Sequence, residues 1–121
     1  LDDVANYVPA RITGLFIVLS SGLFAGSLQT VLASFRTMRQ DGKNHSSPNS
    51  GVPEAAMAGA LGVMLGGPST YGGVLVEKPY IGLDRGGDYL TAAERTTAIA
   101  VVASCLSVLT TALVLHVRSS L

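Results

Sequence analysis

The sequence predicts an all-α fold, a fragment of a polytopic helical membrane protein. Three observations carry that expectation. Charged residues make up 13% of the 121 residues, about half the share usual in soluble domains. The mean hydropathy is +0.44. Two stretches, 12–35 and 96–117, run for 24 and 22 residues without a formal charge, and a helix needs about 20 apolar residues to cross the hydrocarbon core.

Taken in order, the chain opens on a polar block, "DDVANYVPAR", that leads into the apolar stretch 12–35. A polar loop, 36–54, follows. The middle stretch 55–76 is apolar but rich in glycine and alanine, and Pro68 interrupts it. Its unbroken part, 55–67, is 13 residues long, which suits a re-entrant or interfacial segment better than a span. A second polar loop, 77–95, leads to the stretch 96–117. The whole is expected to be a single membrane-embedded domain over residues 1–121, the C-terminal part of a longer chain.

Loop charge supports that topology. If 55–76 crosses the membrane, the basic residues divide four to four between the two sides; if it does not, they divide six to two. Basic residues in short loops favour the cytoplasm. The expectation is therefore a multi-pass protein of the cell membrane with both polar loops cytoplasmic. Small residues recur at four-residue spacing, as in Gly22 and Gly26, Ala58 and Gly62. Such faces let helices approach closely in lipid, either within one chain or in a homo-oligomer. The net charge is zero, which gives no footprint for nucleic acid.

Chemistry concentrates in the first two polar blocks. The loop 36–54 carries Arg36, Arg39, Asp41, Lys43, Asn44, His45, Ser47, Asn49 and Glu54. Three cations beside several hydrogen-bond donors suit an anionic ligand such as phosphate. "SPNSG" reads as a turn, and Pro53 with Glu54 reads as a helix start whose acid meets the positive end of the dipole. Glu54 stabilises that start, binds a metal or acts as a base. In the first block, the adjacent carboxylates of Asp2 and Asp3 suit Mg²⁺, and Asp3 and Asn6 share a helical face. In the last loop, Lys78 and Arg85 offer further cations within what reads as a solvated segment.

Two of these blocks carry a family resemblance. "DDVANYVPARITGLF", followed by "DGKNHSSPNSGVPEAAMAGALGVMLGGPSTYGG" and "KPYIG", resembles the adenosylcobinamide-phosphate synthase (cobinamide synthase) family of integral membrane proteins. The family pattern is D-D-x-x-N-x-x-P-A-R, then H-x-S-P-N-x-G-x-P-E-A-A-x-A-G-A-L-G. The resemblance covers most of residues 1 to 95 and corresponds to the C-terminal portion of a family member. Gln40 departs from the arginine often found there, and Ser46 stands where proline is common.

What the resemblance implies is a step of cobalamin biosynthesis. A corrinoid carboxylate, that of adenosylcobyric acid, is joined through an amide to an amino-alcohol phosphate such as aminopropanol phosphate. ATP, with Mg²⁺, drives the ligation. Carried over by motif, Asp41, His45 and Glu54 are the candidate catalytic residues. By the same motifs Asn6, Arg11, Ser47 and Asn49 are candidates for binding substrate and phosphate, and Asp2 and Asp3 for the metal; the loop cations Arg36, Arg39 and Lys43 join the phosphate-binding candidates by their charge. The alternatives are a non-catalytic membrane sensor or a small-molecule transporter of related sequence. Against transport, neither long stretch has an ionisable residue near mid-membrane.

One geometric conflict stands in this reading. A straight helix over 12–35 would be about 36 Å long, which puts Arg11 and Arg36 on opposite sides. The two motif blocks then share a site only if the helix breaks, and Ser20, Ser21 and Gly22 are where the sequence offers a break.

Overall fold

The computed structural model describes residues 2–121; residue 1 and the side chain of Asp2 lie outside the described residues. Five helices and four short strands follow in the order α1 (Asp2–Ala5), α2 (Tyr7–Ala25), α3 (Leu28–Asp41), α4 (Gly51–Leu61), β1 (Met64–Gly66), β2 (Ser69–Tyr71), β3 (Val74–Val76), β4 (Tyr80–Gly82) and α5 (Tyr89–Ser120).

The stretch 12–35 is not one helix. It breaks at Gly26, whose φ of 59° lies in the left-handed region and ends α2, a conformation that glycine adopts without a Cβ clash. Ser27 then caps α3 by accepting the Thr30 N–H. The chain reverses there and α3 packs back along α2. The Ser20–Gly22 segment, where the break was expected, is continuous helix. The hydroxyls of Ser20 and Ser21 donate to the carbonyls of Phe16 and Val18, at 2.6 and 2.8 Å, and so stay satisfied though buried. The missing side chain of Gly22 admits Val31 of α3.

Helix α4 starts as the sequence indicates, with Pro53 and Glu54 in its first turn. It packs against both α2 and α3 through small residues. Ala55, Ala56 and Ala58 are fully buried. A Cβ on Gly59 would meet Thr37 Oγ1 at 2.6 Å and the Ala33 carbonyl oxygen at 2.7 Å. The Ser34 hydroxyl donates to the Ala56 carbonyl at 2.7 Å, a buried bond between α3 and α4. One apolar cluster joins Ile17 and Val18 of α2, Ala56 of α4 and Ile99 and Ala103 of α5. A second joins Ala55, Ala58, Val63 and Ile81.

The fold is mostly helical, but the expectation of an all-α chain is corrected by the four strands. β1 pairs antiparallel with β4, with Leu65 opposite Ile81. Between them β2 and β3 form a hairpin, with Tyr71 opposite Val74. Gly72 and Gly73, at φ 55° and 82°, make the two-residue turn that right-twisted strands favour. Glu54, just before 55–76, and Val76, at its end, line one cleft. Two helices, α2 and α5, are long and apolar enough to cross a membrane. From residue 107 onward every residue of α5 is exposed.

The α5 N-terminus is held by Asp88, whose carboxylate accepts from the Thr91 N–H and the Thr91 hydroxyl, both at 2.8 Å. The backbone bond first, and the hydroxyl second, hold this carboxyl below its ordinary value of 3.8. The cap is therefore complete above the ordinary carboxylate range and is lost as pH falls through the lowered value. Amide exchange at Thr91 is expected to stay protected through mildly acidic pH and to quicken only below that range. Packing makes a second prediction. Gly59→Val is expected to destabilise the protein by about 1–3 kcal/mol through overpacking. Gly87→Ala, where a Cβ meets nothing within 4 Å, is expected to leave the thermal midpoint in detergent unchanged.

Candidate functional site

The helix reversal brings the two motif blocks together. Arg11 Nη1 donates to Asn49 Oδ1 at 2.7 Å and to the Tyr7 carbonyl at 3.2 Å. Its guanidinium lies over the Tyr7 ring, 3.6 Å from the centroid, a cation–π contact. Asn49 Nδ2 donates to the Asp3 carbonyl at 2.8 Å. Asn49 is 8% exposed, and both ends of its amide are engaged. It joins the first block to the loop 43–49 and has little left to offer a ligand.

Below Asn49 the loop turns tightly into α4. Gly51 N–H donates to the Ser47 carbonyl at 3.3 Å, and Ser50 N–H donates to Ser47 Oγ at 3.4 Å. This is the turn expected from "SPNSG". It also fixes His45. The Ser47 N–H donates to His45 Nδ1 at 2.9 Å, so Nδ1 carries the lone pair. In the neutral ring the proton then sits on Nε2, which faces Glu54 Oε2 at 3.6 Å.

His45 and Glu54 line a cleft of about 490 Å³. Its far wall comes from the strand region: Ser69, Glu77, Lys78 and Ile81. Lys78 is itself steadied by Tyr71, donating to its hydroxyl at 2.7 Å. Glu77, Lys78 and Ser69 were not among the expected site residues. The signal for Lys78 was its charge, and nothing in the sequence placed it opposite His45. Asn44 ties this wall to the loop by donating to the Tyr80 carbonyl at 3.0 Å.

A second cleft, about 370 Å³, lies on the other side of the same loop. Arg11, Arg39 and Lys43 line it together with Tyr7, Pro48 and Val52. Arg36 is elsewhere. It lines a third cleft of about 420 Å³ with Asp41 and Arg85. Asp41 Oδ2 accepts the Gly82 N–H at 2.8 Å, and its carbonyl accepts the Asn44 N–H at 2.8 Å. Asp41 thus pins β4 to the end of α3, away from the His45–Glu54 pair. Asn6 stands at the α1–α2 junction, and its carbonyl accepts the Ala10 N–H at 3.1 Å. The side chain of Asp3 is exposed; that of Asp2 lies outside the described residues. Among the described residues, no three His, Cys, Asp or Glu side chains converge as a metal site.

The chain matches the CobD/CbiB protein family over residues 1–102. It is 56% identical over 81 residues to the cobalamin biosynthesis protein CobD of Geobacter metallireducens, covering 67% of this chain and 24% of that protein. Over 82 residues it is 54% identical to the protein of that name from Clostridium perfringens, covering 68% and 25%. The cobalamin biosynthesis protein CbiB of Salmonella typhi is 43% identical over 110 residues, covering 88% and 33%. The chain therefore spans about a quarter to a third of the length of these curated relatives. No solved structure matches it.

Asp41 separates a structural from a catalytic role. Asp41→Ala strands the Gly82 N–H and is expected to cost about 1–3 kcal/mol. Asp41→Asn keeps an acceptor and is expected to hold most of that stability. Thermal melts of the two variants, with amide exchange at Gly82, check this.

Proposed function

The chain belongs to the CobD/CbiB protein family, and from that premise we propose that the full-length protein acts in cobalamin biosynthesis as an ATP-dependent amide ligase. It joins the free carboxylate of adenosylcobyric acid to the amine of an amino-alcohol phosphate, such as aminopropanol phosphate. The observation that carries this reading is the His45–Glu54 pair, 3.6 Å apart and set in a cleft beside a cationic one.

The reaction needs two steps. The corrinoid carboxylate attacks the terminal phosphorus of ATP, the bond to the bridging oxygen breaks, and an acyl phosphate and ADP result. The amine then attacks the acyl carbon. Inorganic phosphate leaves, and the ammonium proton must go to a base. Glu54 is our candidate for that base. It lies in the first turn of α4 and is one-third exposed, so it is open to substrate yet held by the helix. His45, with Nδ1 occupied by the Ser47 N–H, presents its Nε2 side to Glu54 and orients it. Lys78, across the cleft, offsets negative charge on an activated carboxyl. Arg11, Arg39 and Lys43 offset phosphate charge. Asn49, Asp41 and Ser47 hold the loop in shape.

Among the described residues the carboxylates do not form a stand-alone metal site, but carboxylates of this kind suit Mg²⁺ that arrives with a nucleotide, since Mg²⁺ commonly takes one or two protein carboxylates plus phosphate oxygens and water. Asp2 and Asp3 of the first block, or Glu77 on the far wall of the His45–Glu54 cleft, would be the residues to hold it. When bound it neutralises charge on the transferring phosphoryl group.

In this reading the apolar helices lie in the cell membrane and the loops 36–54 and 77–95 face the cytoplasm, where ATP is. The segment 55–76 folds back at that face, consistent with Glu54, just before it, and Val76, at its end, lining one cleft.

Full-length protein in detergent, given ATP, Mg²⁺, adenosylcobyric acid and aminopropanol phosphate, is expected to yield adenosylcobinamide phosphate. Glu54→Gln is expected to lower kcat by 10²-fold or more with the protein still folded. Wild-type protein that is folded but forms no product contradicts the ligase reading; full activity in Glu54→Gln removes Glu54 as the base.

A further inference from the structure

We propose that the cleft lined by Arg11, Arg39 and Lys43 is a phosphate-binding subsite, built back to back with the His45–Glu54 cleft, so that the phosphate group and the proton acceptor act from opposite faces of the loop 43–49. The identity of its ligand rests on the ligase reading; the existence of the subsite does not.

The charge pattern comes first. Three cations line this cleft and no carboxylate does. Among the described residues the ion pair within 4 Å is His45 with Glu54, on the other side of the loop. None of the three cations is neutralised by a described carboxylate. Like charges gathered this way repel one another, and a dianionic ligand relieves that cost.

Arg11 is also fixed in advance. Its two bonds, to Asn49 Oδ1 and the Tyr7 carbonyl, both use Nη1, and its guanidinium carbon lies over the Tyr7 ring. Among the described residues nothing accepts from Nε–H or Nη2, and the rotamer entropy of the side chain is already spent, which favours a planar, bidentate contact with phosphate oxygens.

The separation of the two clefts follows from local geometry. Val52 and Glu54 are two apart on α4, and at about 100° per residue they point in nearly opposite directions. Val52 lines the cationic cleft and Glu54 the other. Along the loop, Lys43 and Pro48 face one side while Asn44, His45 and Ser46 face the other. The buried Asn49 amide holds this partition rigid.

Phosphate reaches such a site as a doubly ionised terminal group from a nucleotide or an amino-alcohol phosphate, or as a singly charged diester from a lipid headgroup. Equilibrium binding separates them, with folded full-length protein in detergent titrated with ATP, with aminopropanol phosphate and with phosphate-free aminopropanol. A fourth arm measures flotation with phosphatidylglycerol against phosphatidylcholine vesicles. The Arg39→Gln/Lys43→Gln double variant is expected to lose at least tenfold in affinity for one phosphate-bearing probe. Arg39→Lys is expected to retain most of it, and Glu54→Gln to bind within twofold of wild type. The arm that loses affinity names the source of the phosphate. Unchanged binding in every arm overturns the subsite, and so does an equal loss in Glu54→Gln, which would mean one merged site. Product formation by wild type alongside unchanged binding in the double variant removes the subsite and leaves the ligase; weaker binding in the double variant, with a folded wild type that never forms product, removes the ligase and leaves the subsite.

Discussion

The buried amide of Asn49, held between Arg11 and the Asp3 carbonyl, is the contact on which the rest of the polar face depends. It closes a loop across 38 positions of sequence and does so with a charge-assisted bond, the stronger kind. Without it nothing else among the described side-chain hydrogen bonds ties the first motif block to the turn into α4. With it, Arg11 is presented to one side of the loop and His45 to the other. The clamp is reachable only because α2 and α3 form a hairpin. That in turn requires Gly26 in the left-handed region and a cap at Ser27.

Beneath the polar face the packing is made of small side chains. Ala55, Ala56, Ala58 and Gly59 bring α4 against α3 at backbone distance, and Ser34 crosses the seam with a hydrogen bond. In lipid there is no hydrophobic driving force between helices, so close van der Waals contact and such bonds must hold them. This rigidity is what sets Glu54, immediately before them on the same helix, at a fixed place relative to His45. At the other extreme, the second half of α5 presents apolar side chains all round, with Val108, Leu109, Leu113 and Val114 each more than half exposed. That is the pattern of a helix whose surroundings are apolar.

Much of this was legible in the sequence, for reasons that differ by element. The apolar stretch 96–117 is long and uninterrupted, and it lies within α5. Pro53 and Glu54 marked the start of α4 because proline fits the first turn of a helix and little else nearby did. The turn at 47–50 was legible from its composition. The stretch 12–35 misled because hydropathy counts charge and not backbone conformation. Gly26 and Ser27 are a stop and a start placed side by side, and Ser20–Gly22 offered an equally plausible break. The strands were missed because 55–76 was weighed as apolar length. Its glycine pair at 72–73 is a hairpin signal, overshadowed by the helical reading around it. Spatial partners such as Lys78 opposite His45 were beyond sequence, since they depend on β4 being pinned by Asp41.

A double-mutant cycle on Arg11 and Asn49 tests the joining of the two blocks most directly. Arg11→Ala, Asn49→Ala and the double variant would be compared by unfolding of the full-length protein in detergent. The account predicts a coupling energy of about 1–2 kcal/mol, with the double variant scarcely less stable than the weaker single one. Strictly additive losses would mean that the two blocks do not meet through this bond, and the single polar face built on it would have to be abandoned.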